Sequence, residues 1–314
     1  MAGPYKPIDN SGLKTVSIKD RPAKVKEELF AKEIKAGMSV ADLIDSLPDI
    51  LAAKTLKEVA AAIADARKNE RPVILAMGGH VIKVGLSPLI ISLMESGTVT
   101  GLAMNGSCII HDFETAYSGD TSEDVAEVLD TGMFGMTKET AEGINSAVAR
   151  CAGEEVGIGR AVGEAILDGD FPFKDRSLLA AAARLDVPAT VHVAVGTDIV
   201  HMHPSADGAA IGKGSLHDFK VLASEVAELD GGVYINLGSA VVMPEVFLKA
   251  LSMARNLGNK VESFVTVNMD FLQHYRPGVN VVERPTRTGG KGYRLTGHHE
   301  IMFPLLMAAV SEKM

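Results

Sequence analysis

Residues 72–80 read Pro-Val-Ile-Leu-Ala-Met-Gly-Gly-His. The apolar run is continuous rather than alternating, and it is bounded by a proline and a glycine pair. It is too short for a buried helix, so it reads as a strand covered on both faces, as in a parallel sheet. Downstream the same unit recurs. The spacing predicts strands over 99–104, 189–195, 233–237 and 261–268. It predicts helices over 86–95, 122–130, 138–155, 157–168, 177–185, 218–229, 244–256 and 301–310, with Ser87 and Pro88 opening the first of them. Asn105-Gly106-Ser107 reads as a turn, and 270–299 as loop-rich. Strands alternating with helices imply a parallel sheet covered on both sides, with ligands outside the carboxyl ends of the strands.

Upstream, 56–67 is an Ala-rich helix, and 25–51 has helical spacing broken at Gly37. Ser39, with Asp42 three residues on, has the form of a capping box. Residues 1–22 form a polar arm expected to be ordered only if it docks on something. The organisation expected is therefore 1–70 as arm and helices packing on the core, and 71–314 as one compact Rossmann-like unit.

The chain has 314 residues, 46% of them hydrophobic, and a net charge of −9. That charge repels phosphate backbones, and 5% aromatics without Trp offers little surface for stacking bases, so nucleic acid is not an expected partner. Two cysteines at no metal-type spacing suit a reducing compartment. The Lys-rich start lacks the apolar core of a signal peptide, and no apolar run is long enough to cross a bilayer. The expectation is a cytoplasmic protein with no membrane partner.

Polar residues gather at the predicted strand ends. They are Gly78, Gly79, His80 and Lys83; Asn105, Gly106, Ser107, His111, Asp112 and Glu114; Thr197, Asp198, His201, His203 and Asp207; Gly238 and Ser239; and a last group that includes Asp270, His274, Lys291, His298 and His299. The glycine pairs lack both GxGxxG and the Walker pattern, yet backbone amides there suit a phosphate. His201-Met202-His203, if extended, would project two imidazoles to one side. Without a visible third ligand the reading is no metal, with His201 and His203 the only candidates. Lys291 lies in Thr-Gly-Gly-Lys-Gly, where a lysine with a lowered pKa is able to form an imine.

The order of these segments resembles the deoxyhypusine synthase family over roughly 72–307. The resemblance rests on Gly78-Gly79-His80-Val81-Ile82-Lys83-Val84-Gly85, on 104–112 (MNGSCIIHD), on 187–198 ending in Thr-Asp, and on Ile235-Asn236-Leu237-Gly238-Ser239-Ala240-Val241-Val242. It continues through Arg284-Pro285 followed by Gly290-Lys291, and Phe303-Pro304-Leu305-Leu306. It implies a Rossmann-like three-layer α/β/α fold of that type with an N-terminal helical extension, NAD as cofactor, and a homotetramer built as a dimer of dimers. Carried over, Gly78, Gly79, His80, Asn105, Gly106, Ser107, Asp198, Gly238 and Ser239 would touch the nucleotide. Lys291 would form the imine. Apart from the resemblance, His111, His201 or His203, with Asp112, would supply acid–base chemistry, since histidine titrates near neutrality.

The chain also departs from the family. Gly-Gly-His replaces Thr-Ser-Asn, Ile110-His111 replaces an acidic pair, and Met243-Pro244 replace histidines. Arg287-Thr288-Gly289 stand where acidic and Trp residues hold the polyamine. Arginine repels a polyammonium chain. The expectation is therefore an NAD-binding enzyme of transferase or oxidoreductase type acting on a small molecule other than spermidine. The alternatives are a metal-dependent lyase or hydrolase using His201 and His203, and a non-catalytic ligand sensor.

Overall fold

The computed structural model describes residues 3–314, so Met1 and Ala2 of the expected arm lie outside it. In chain order the elements begin with α1 (Val40–Ser46), α2 (Leu51–Lys68), β1 (Val73–Met77), α3 (His80–Lys83), α4 (Ser87–Glu95), β2 (Gly101–Asn105), α5 (Gly106–Ser118), α6 (Val125–Val128), α7 (Lys138–Gly153), α8 (Ile158–Asp168) and α9 (Leu178–Leu185). They continue with β3 (Ala189–His192), α10 (Gly208–Ala227), β4 (Val233–Leu237), α11 (Val242–Asn256), β5 (Val265–Asp270), α12 (Tyr275–Pro277), a π-turn (Gly278–Glu283), β6 (Lys291–Thr296) and α13 (His299–Ser311). Among the described residues the strands form one six-stranded sheet in the order β3-β2-β1-β4-β5-β6. All five pairings are parallel.

This is a three-layer α/β/α fold. β1 and β4 are buried at every position, which is why their sequences show no alternation. Side chains still point to opposite faces in turn. Val73, Leu75 and Met77 enter a core with Leu56, Val59 and Ile63 of α2 and Phe303 and Leu306 of α13. Ile74 and Ala76 enter a second core with Leu222 and Val226 of α10 and Phe247 of α11. Upstream of α2, the capping box at Ser39 is present, with Ser39 Oγ accepting from Asp42 N at 3.1 Å. Residues 3–36 show one 3₁₀ turn, Glu27–Leu29, and Tyr5, Ile8, Leu13 and Val16 are exposed.

Five sequence expectations are corrected. The helical spacing before Gly37 forms no α-helix, only the 3₁₀ turn Glu27–Leu29. Asn105-Gly106-Ser107 is not a turn: β2 runs straight into α5, which ends thirteen residues later on Gly119 at φ 82°. Residues 122–130 hold only α6 and a 3₁₀ turn. The helix expected at 218 begins ten residues earlier, because Asp207 accepts from Ala209 N and Ala210 N. The glycines that obscure this start include Gly214, where a Cβ would lie 2.7 Å from Cys151 Sγ. Finally, 291–296 is an edge strand; its KGYRLT sequence is mostly polar because one side of it meets solvent.

Candidate functional site

The strand order reverses between β1 and β4, since β1 continues to β2 and β3 on one side while β4 continues to β5 and β6 on the other. A crevice opens outside the carboxyl ends at such a switch point. Its walls pack tightly around glycines. A Cβ on Gly78 would stand 2.5 Å from the carbonyl oxygen of Gly238, and one on Gly79 would stand 2.7 Å from Ser107 Oγ and 2.9 Å from His111 Cδ2. Gly238 has φ +67°, and its absent Cβ leaves room for the ring of His299, 2.6 Å from that position. Gly106, first residue of α5, leaves room for the carboxylate of Asp198, whose Oδ2 would be 2.0 Å from a Cβ. Loops from β1, β2, β3 and β4 thus converge, as the polar residues at the predicted strand ends suggested.

On the β5–β6 side, His299 opens α13 and is 1% exposed. Neither ring nitrogen has a hydrogen-bond partner, although Nε2 lies 3.6 Å from Asp270 Oδ1. His80 meets its ring edge-on, with centroids 5.3 Å apart, and Phe271 flanks both at 6.0 Å. Burial, followed by the neighbouring His299, lowers the pKa of His80. Phe271 is not among the residues singled out in the sequence, and the meeting of Asp270 with His299 was not legible there, because their elements are about thirty residues apart in the chain and meet only through the sheet.

On the β2–β3 side, His111 sits one turn into α5. Its Nδ1 is 2.8 Å from Thr121 Oγ1, and that hydroxyl donates to Glu114 Oε2 at 2.6 Å. The Thr121 proton is committed to the carboxylate, so its oxygen accepts from His111 Nδ1–H. Nε2 is left with its lone pair. Burial, aided by the positive charge of Lys83, holds the His111 pKa down at about 4, so the ring is neutral near pH 7. His111 lines a cavity of about 200 Å³ with Lys83, Glu114, Glu123, Thr197 and Asp198. Asp198 is 7% exposed, its Oδ2 has no partner, and burial raises its pKa.

The other expected residues divide. Ser107 Oγ donates to Asn105 Oδ1 at 2.8 Å beside the crevice. Ser239 is turned inward, its hydroxyl accepting from Met243 N at 3.2 Å in the first turn of α11. Asp112 does not face the site. It is fully buried and accepts from Ser177 Oγ at 2.6 Å, Leu178 N at 2.7 Å and Leu179 N at 3.1 Å, so it ties α5 to the start of α9. A helix residue adjacent to His111 necessarily points about 100° away from it.

Lys291 is also removed from the site. It is the first residue of β6, paired with Val265 at the start of β5, whereas the site lies beyond Asp270 and Thr296 at the other end. A strand of that length separates the two by roughly 17 Å. Gly-Gly-Lys therefore precedes a strand instead of following one.

The HxH segment is not extended. Ile199–Met202 is a 3₁₀ turn, so the two imidazoles do not share a side. His201 Nδ1 accepts from Gly196 N at 3.2 Å, and His203 Nδ1 is 2.9 Å from Ser205 Oγ. Among the described residues no three His, Cys, Asp or Glu side chains come together as a metal-ligand group. The metal-dependent alternative loses its premise. None of the described helices is long and apolar enough to cross a membrane.

No protein-family model matches the chain, and no curated protein matches it in sequence. Solved structures do match in fold. AgrE in ternary complex with ornithine and NAD+ is 14% identical at a TM-score of 0.51 over 84% of this chain and 34% of its own. A candidate LOR/SDH protein from Methanococcus maripaludis S2 is 14% identical, TM-score 0.50, over 84% of this chain and 71% of its own. A candidate deoxyhypusine synthase from Entamoeba histolytica is 12% identical, TM-score 0.50, over 90% of this chain and 96% of its own. The chain spans about a third of the length of AgrE and of ArgZ, an arginine dihydrolase from cyanobacteria. At these identities the likeness shows the fold alone, which is of the deoxyhypusine synthase type.

Proposed function

We propose that this chain is an NAD-binding enzyme of the deoxyhypusine synthase-like kind, acting on a small molecule other than spermidine. The observation that carries the reading is the switch point between β1 and β4, where Gly78 and Gly238 let the two strand ends pack backbone on backbone and Gly79 admits Ser107 and His111. These residues fit a dinucleotide. Glycine lets backbone approach a pyrophosphate, and α5 opens beside these glycines without a side-chain cap from Asn105, its first residue lying against the Asp198 carboxylate. Gly78, Gly79, Gly106, Ser107 and Gly238 would hold the cofactor, with His80 and Phe271 at its rim. When bound, NAD accepts or returns a hydride. The AgrE structure containing NAD+ adds support from a protein of like fold.

The chain's own residues would do the rest. His111 holds a free imidazole lone pair at the cavity beside the crevice, and Lys83 places a positive charge there. The imine role expected of Lys291 is not carried forward, because Lys291 stands at the opposite end of the sheet. Assembly as a dimer of dimers is part of this reading. Phe271, Leu272 and Tyr275, exposed by 46%, 55% and 75% beside the crevice, are suited to cover by a second copy.

Calorimetric titration of the purified chain with NAD+ tests the reading. A Kd in the micromolar range or tighter, about −8 kcal/mol, is expected. Absence of binding at millimolar NAD+ would remove it.

A further inference from the structure

The cavity of about 200 Å³ between α5, the 119–137 segment and the loop after β3 is smaller than the roughly 300–1,000 Å³ of drug-sized sites. Its occupant is therefore small, and its unmet hydrogen-bonding groups indicate the chemistry. His111 Nε2 is an acceptor without a donor, since Nδ1 is committed through Thr121 to Glu114. Glu114 is in turn held by a second hydroxyl, Thr140 Oγ1 at 3.1 Å from Oε1. Asp198 lines the wall and is nine-tenths buried, with its unpartnered Oδ2 turned toward Gly106. Glu123 accepts only from Gly135 N, at 2.9 Å. Lys83 is the single lysine or arginine on the wall, and among the described residues it forms no ion pair. Carboxylates outnumber cations, and the one cation is free.

A ligand matching this inventory brings several N–H donors with positive charge, and one acceptor with negative charge. We propose that the cavity binds a small zwitterion, an α-amino acid, with its carboxylate on Lys83 and its ammonium on Nε2 of His111. His111 Nε2 accepts a hydrogen bond from the ammonium, and Thr121 and Glu114 are positioning residues that hold the Nδ1–H tautomer. A hydroxy acid supplies only one donor, and a diamine leaves Lys83 unmatched and repelled. This deepens the enzyme reading above and rests on it for the chemistry that follows binding. The binding itself requires no nucleotide.

Two measurements on the full chain test it. In ¹⁵N-histidine NMR, with His111→Gln identifying the resonance, His111 is expected as the Nδ1–H tautomer. Glu114→Gln is expected to shift it toward Nε2–H. Observation of the Nε2–H tautomer in the unmodified chain overturns the assignment of Nε2 as the acceptor.

In calorimetry without NAD+, at least one of L-alanine, L-serine, L-glutamine and L-ornithine is expected to bind. Lys83→Met, a change at an exposed position, should weaken that binding tenfold or more. Equal binding of L-lactate or 1,4-diaminobutane, or no amino-acid binding at about 10 mM, overturns the proposed ligand. Because NAD+ is omitted, a failure here is separate from failure of nucleotide binding, and repeating the titration with NAD+ present keeps the two apart.

Discussion

Gly78 and Gly238 lie against each other where β1 and β4 end, so closely that a Cβ on Gly78 would stand 2.5 Å from the Gly238 carbonyl oxygen. The contact is backbone on backbone, and no side-chain rotation relieves it. Gly78→Ala is therefore expected to lower stability by roughly 1–3 kcal/mol, read from urea denaturation. Gly212→Ala in α10, where nothing lies within 4 Å, should instead raise stability by up to about 1 kcal/mol. Equal stability of Gly78→Ala and the parent would mean that the two strand ends do not touch.

Asp112 is a structural tie. Its carboxylate accepts three hydrogen bonds at the start of α9. Asp112→Ala should cost about 2–4 kcal/mol by leaving these donors buried and unmet, while Asp112→Asn, which keeps one acceptor oxygen, should cost less. A stable Asp112→Ala chain that had lost only ligand binding would restore the catalytic role expected from the sequence.

Glu225 on α10 lies against Gly101, and its Oε2 is buried without a partner. Burial pushes its pKa from the ordinary 4.5 up to about 8. A raised carboxyl means that the folded chain holds a proton the unfolded chain has released, so this contribution is full below pH 4.5 and is lost as pH rises to about 8. Glu225→Gln should flatten that part of the stability–pH profile, measured by denaturation from pH 5 to 9. An unchanged slope in the variant would show that Glu225 titrates normally.

Lys291, at the amino end of β6, should be dispensable for the crevice. Lys291→Ala is expected to leave NAD+ affinity within roughly a factor of two, about 0.4 kcal/mol. Loss of affinity by tenfold or more would require a different relation between the sheet ends, such as a second copy presenting its own Lys291.

Much of the scaffold is legible in the chain itself. Runs such as Val73–Met77 and Val233–Leu237 are apolar because both sheet faces are covered, so composition alone reveals them. The sixth strand was hidden for the opposite reason: at the sheet edge, Lys291–Thr296 needs few apolar residues. The helix after β2 was hidden by Asn-Gly-Ser, a sequence with strong turn chemistry. Here the glycine serves instead to admit the Asp198 carboxylate.

The sequence by itself determined that the chain forms a parallel α/β sheet and that its polar loop residues follow the strands, because burial periodicity and glycine placement are local properties. Only the tertiary structure decided which of those residues share a site. Strand order brings β1 beside β4 and carries His299 to Gly238 and His80, across more than two hundred residues of chain. Helix phase turns His111 toward a cavity while its neighbour Asp112 goes into the core. Strand direction sends Lys291 to the far end of the sheet. Order, phase and direction are set by how hydrophobic faces pack against one another, which no single segment encodes.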